Sequence, residues 1–96
     1  MLDLVQPRRR TEIRADPLPD GSTVLFDPRT EMAYAITTSA TLVWEACDGS
    51  HTTATIVEKL TALYDAPSEV ISRDVQALLQ HLAACDLLQL EAGAAV

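Results

Sequence analysis

Four residues with metal-binding chemistry fall into two pairs spaced four apart: Cys47 with His51, and His81 with Cys85. A thiolate and an imidazole one helical turn apart share a face and can form half of a zinc site. The sequence argues against assembling the four. Asp48-Gly49 interrupts any helix between Cys47 and His51, and the spacing is not that of a zinc finger. Cys47 also continues an apolar stripe made by Ala40, Val43 and Trp44, so a packed thiol explains it. No metal site is expected. Nucleophilic or phosphate chemistry has no better footing: there is no Gly-x-Ser-x-Gly, no glycine-rich phosphate loop, and three glycines in all. Neither histidine has an evident orienting partner, so the chain reads as a non-enzyme with no cofactor.

Charge excludes a second class. Seven Lys and Arg stand against fourteen Asp and Glu, a formal net charge of −7. Beyond Arg8, Arg9 and Arg10, the cations are Arg14, Arg29, Lys59 and Arg73, scattered among the acids. Nucleic-acid binding draws most of its affinity from neutralised phosphates, so this body repels a polyanion. Ninety-six residues, 48% of them apolar, supply one modest core and hence one domain. No apolar run reaches the ~20 residues of a spanning helix, and the amino terminus lacks the order of a secretory signal. The expected location is the cytoplasm, with no membrane contact and both cysteines reduced.

The elements that must position any site come next. Residues 1–10, with Pro7 and three consecutive arginines, read as a flexible basic arm. A short first strand is expected at 11–15, followed by the proline-rich loop DPLPDG. Residues 22–27 and 31–36 alternate in the manner of strands and flank DPRT, whose Asp27 and Pro28 suit the first two positions of a type I turn. In the second strand of that hairpin Met32, Tyr34 and Ile36 face one way, and the small Ala33 and Ala35 the other. Thr37, Thr38 and Ser39 can cap a first helix that Gly49 ends, and Thr52 or Thr53 can cap a second, with stripe Ile56, Leu60, Leu63 and Tyr64. Ser68 can cap a third, over 69–84, with stripe Ile71, Val75, Leu78 and Leu82. CDLLQLE closes as a last strand or a tail on the core, and 92–96 reads as a frayed tail. The fold class is α+β and winged helix-turn-helix-like: an N-terminal three-stranded antiparallel sheet followed by three α-helices, over 11–91.

A winged helix suggests DNA, but the third helix offers only Arg73 beside Glu69 and Asp74. A smooth strand edge beside a helical layer is instead a peptide-binding geometry. Such an edge also admits a homo-oligomer, so a dimerisation module is the rival reading.

The run ITTSATLVWEACDGSHTTATIVEKL, with DVQALLQHL and the closing Leu-Leu, resembles the PqqD family and the related recognition elements for ribosomally made precursor peptides. Ile36 to Ala40 take the places of that family's strand-to-helix motif, and Val43 to Gly49 those of its Trp-Glu-x-Cys-Asp-Gly helix end. Thr52, Ile56 and Leu60 fall on the next helix, and Asp74, Val75, Leu79 and Leu82 on the last. Thr37-Thr38 replaces the usual Asn-Pro, and Cys85-Asp86 the usual Lys-Gly, so Asp86 is expected to adopt a turn that suits glycine. The resemblance covers about residues 11–90. It implies a peptide chaperone: the leader of a precursor adds as a strand to residues 31–36, lies against the third helix, and is presented to a modifying enzyme such as a radical-SAM maturase. On that implication the peptide-binding residues are Glu31, Met32, Ala33, Tyr34 and Ala35 on the strand. Val70, Arg73, Asp74, Ala77 and His81 are those on the helix, in preference to the margin of Ser72, Gln76, Leu79 and Ala83.

Overall fold

Asp27 opens its hairpin as side-chain chemistry dictates: its carboxylate accepts from the backbone N–H of Arg29 at 2.9 Å, and its carbonyl accepts from Thr30 and Glu31. This computed structural model describes residues 5–92. The hairpin joins β3 (Thr23–Asp27) to β4 (Met32–Ile36), paired Thr23 to Ile36 and Asp27 to Met32. The preceding strand, β2 (Arg14–Pro17), pairs with the other side of β3, from Arg14 opposite Phe26 to Pro17 opposite Thr23. It starts three residues later than the expected 11–15. As an edge strand it tolerates Pro17, which has no N–H to offer. The order β2-β3-β4 leaves β4 at an edge.

Three helices follow: α1 (Thr38–Ala46), α2 (Thr53–Leu63) and α3 (Ser68–Ala84). Thr37 caps α1 by accepting from Ala40 N–H, and Thr52 caps α2 by accepting from Thr55 N–H. Ser68 does not cap α3; Pro67 holds the N-cap place without a side-chain bond. At its far end α3 closes in a Schellman motif, with Leu87 N–H on Leu82 O and Asp86 N–H on Ala83 O. Asp86 takes φ 61 there, the turn expected of it. The chain then forms β5 (Leu88–Ala92). Ala92 therefore ends a strand, and residues 93–96 of the expected tail lie outside the described residues.

The basic arm is corrected. Residues 5–9 form β1 (Val5–Arg9), antiparallel to β5, from Val5 opposite Ala92 to Arg9 opposite Leu88. The first four residues of the arm lie outside the described residues. The other flank of β1 is closed by the segment after α1: Arg9 N–H bonds Cys47 O, and Gly49 N–H bonds Pro7 O. The arginines are what make this strand hold. Arg9 Nη1 donates to the Glu45 carbonyl (2.7 Å) at the end of α1, and to that of Trp44 (2.9 Å), which also accepts from Cys47 N–H. Arg10 donates twice to Asp86, and the Arg8 guanidinium lies so close to Gly49 that a Cβ there would stand 2.4 Å from it. Thus the sheet is two pieces, β2-β3-β4 and β1-β5, within the expected α+β class.

Leu25, Trp44, Cys47, Ile56, Leu79, Leu82 and Leu87 form the centre of the core. Trp44 is buried there as its largest side chain. The inward residues of α3 are Ile71, Val75, Leu79 and Leu82; Leu78 is only half-buried. No helix among the described residues is long and apolar enough to cross a membrane.

Candidate functional site

The position of α3 beside β4 follows from what each must bury. Tyr34 and Ile36 turn inward against the core while Ala33 and Ala35 stay exposed, so the outer face of the edge is low. Met32, expected to join the inward face, lies beyond the core margin and is half exposed. Two adjoining clefts open between this edge and the helices. The first, about 300 Å³, is lined by Tyr34, Ala35, Ile36, His81, Leu82 and Leu87, among others. The second, about 410 Å³, lies beyond the strand's end, among Val43, Leu60, Tyr64, Val70, Asp74 and Val75. Thr37, Ala40 and Leu78 line both, which makes them one groove.

Of the sequence-derived site residues, this groove gathers Tyr34, Ala35, Val70, Asp74 and His81. Glu31, Met32 and Ala33 lie on the exposed strand edge and its turn without lining either cleft. Glu31 itself sits at φ 62 in the hairpin turn. Ala77 is exposed on α3 and lines neither cleft. Arg73 faces elsewhere: with Ser72, Gln76 and Val57 it borders a separate shallow depression between α2 and α3. The helix twist explains this, because Arg73 is one residue, about 100°, from Asp74. Of the competing margin, Leu79 is fully buried, and Ser72 and Gln76 bond each other in that depression. Sequence reasoning missed the contribution of Thr37, Ser39 and Ala40 from the start of α1, and of Tyr64 and Ala66 from the loop before α3. Tyr64 carried a signal. It ends the α2 stripe at the last turn, where the core runs out and an aromatic ring is left 39% exposed.

The polar chemistry away from the groove is self-contained. Asp27 is buried, and its carboxyl is held below its ordinary pKa chiefly by the hydrogen bond from Arg29. Arg29 also reaches Asp86, whose carboxyl is lowered chiefly by its bond from Arg10. Asp48 is lowered by the Ser50 hydroxyl first, with further help from Ser50 N–H and His51. His51 Nε2 is 2.9 Å from Lys59 Nζ, so the imidazole is occupied on both sides. Cys47 points into the core and donates to Val43 O, and burial pushes its thiol up to about 12. That leaves it inert as a nucleophile. Cys85 Sγ stands 4.0 Å from His81 Nε2. Among the described residues no three metal-ligating side chains come together.

Residues 22–88 match the profile of the family described as coenzyme PQQ synthesis protein D (PqqD). Comparison with curated proteins gives no match. Two solved structures share the fold. One is a lasso peptide synthetase B1 complexed with the leader peptide, 25% identical, TM-score 0.78, covering 88% of this chain and 98% of that one. The other is TbiB1 in complex with the TbiA(beta) leader peptide, 20% identical, TM-score 0.77, covering 85% and 94%.

Proposed function

The chain belongs to the PqqD family, and from that premise we propose that it binds the leader segment of a ribosomally made precursor peptide and presents it to a modifying enzyme. The leader adds as a further strand to β4 and continues along α3. One observation carries this reading: the open edge of β4 runs alongside a continuous groove lined by Tyr34, Ala35, Leu78 and His81, then by Val70 and Asp74. Main-chain bonds along the edge supply affinity, and the clefts supply choice among peptides. The two solved relatives carry leader peptides, which supports the same class of ligand here. The chain acts without catalysis of its own. Its partner is the enzyme that acts on the leader-bearing precursor; the radical-SAM maturase implied by the family resemblance is one such class.

Titration calorimetry with the leader of a precursor encoded beside this gene tests the proposal. One-to-one binding that Val70→Arg abolishes in a folded protein is expected. No binding by the intact chain, with light scattering instead reporting a stable dimer, would replace the proposal with edge-to-edge self-association.

A further inference from the structure

The groove has a sign. Its two clefts are lined by eighteen different residues, and no lysine or arginine is among them. Asp74 is the sole carboxylate, exposed on α3 at the mouth of the larger cleft, and it has no hydrogen-bond or ion-pair partner among the described residues. Arg73, the cation among the expected peptide-binding residues, borders the depression on the other side of α3. The rest of the larger cleft is mainly apolar, with Val43, Leu60, Val70, Ile71 and Val75, the Tyr64 ring, and three hydroxyls, those of Thr37, Ser39 and Tyr64. The whole chain, at −7, adds a field of the same sign as Asp74.

Building on the peptide-binding reading above, we infer that the groove selects a leader segment in which a bulky apolar side chain enters the larger cleft and a lysine or arginine within a residue or two meets Asp74. Beyond Ile36 β4 ends and α1 begins, so a bound strand loses its ladder partner at this point. Side chains must then hold the peptide, and an apolar anchor with a cation at the rim fits what the cleft offers. Asp74 and His81 are two turns apart on α3, about 10 Å. An extended peptide crosses that distance in roughly three residues. The cation therefore lies about three residues from the side chain that contacts His81, itself beside the paired segment.

Panning a random peptide library displayed on phage against the immobilised protein tests this, with Asp74→Asn and Asp74→Lys in parallel. Enriched peptides are expected to pair a large apolar residue with a neighbouring lysine or arginine. The Asn variant should lose the cation preference while keeping the apolar one, and the Lys variant should turn it toward Asp or Glu. For a synthetic copy of the enriched sequence, Lys→Gln in the peptide should weaken binding about threefold to the intact protein and leave the Asn variant unaffected, as a solvent-screened pair requires. Enrichment of apolar residues without a cation, unchanged in the Asp74 variants, would overturn the inference and leave peptide binding standing. Absence of any enriched peptide that Val70→Arg displaces would remove both.

Discussion

Two strands of this molecule stand in contrast, β1 and β4. β1 has β5 on one side and the Cys47–Gly49 segment on the other; its Arg8 and Arg9 lie over Gly49 and on the carbonyls of α1, and the next residue, Arg10, bonds Asp86. β4 has β3 on one side and, among the described residues, no strand on the other, and its outward residues are alanines. An edge of unpaired N–H and C=O groups invites another chain, and proteins normally blunt it with charge or cover. Here the chain's most basic run, Arg8–Arg10, seals the strand that carries no proposed ligand. The strand beside the groove stays smooth. The difference teaches that exposure of β4 is local and specific, since the same fold shows how it closes an edge.

Removing residues 1–10 is the largest test of that contrast. The deletion strips β5 of its partner and the carboxyl end of α1 of its Arg9 donor, and the melting temperature is expected to fall by about 10 °C or more in a circular dichroism melt. A merely solvated arm would leave it unchanged. Arg9→Ala isolates part of this effect. It leaves two helix-end carbonyls without their charged donor, at a cost of about 1 to 2 kcal/mol by denaturant titration, with peptide binding unaltered.

The contrast was only half legible in the sequence. The hairpin and α3 were legible because their signals are local: alternation on either side of Asp27-Pro28, and an apolar period along one helix. Asp86 was legible as a turn through the family resemblance, which puts a glycine at its place, and it takes φ 61 there. β1 was not. Its partner strand begins at Leu88, and Arg9 finds its carbonyl acceptors 35 and 36 residues away, so nothing near Arg8–Arg10 marks them as structural. The groove was legible in outline, from the smooth edge and the Val70-Asp74-His81 margin. Arg73 and Ala77 line neither cleft: neighbouring helix positions differ by rotation alone, and the rotation of α3 shows only in the assembled core, where Leu79 is buried.

Groove variants sharpen the other half. Val70→Arg places a long cation in the larger cleft and is expected to weaken leader binding at least about tenfold, with the fold retained because Val70 is 40% exposed. The same change at Ala77 or Gln76, outside both clefts, is expected to shift affinity by less than about twofold. The smallest effect is in acid. The Asp27, Asp48 and Asp86 carboxyls are held below their ordinary pKa in the folded protein, so the unfolded chain takes up protons first as pH falls. Stability contributed by these groups is complete above about pH 4 and drains away below it. Asp86→Asn should make the acid limb of a stability–pH curve slightly shallower, a modest change because that carboxylate is well exposed and screened.

Amide hydrogen exchange of the protein with and without a bound leader peptide bears most directly on strand addition to β4. The expected result is new protection at alternate amides within Met32–Ile36, where every second N–H faces the free edge, with β1 and β5 unchanged. Protection gathered on β1, β5 or the Cys47–Gly49 segment, with the β4 amides exchanging as before, would contradict it.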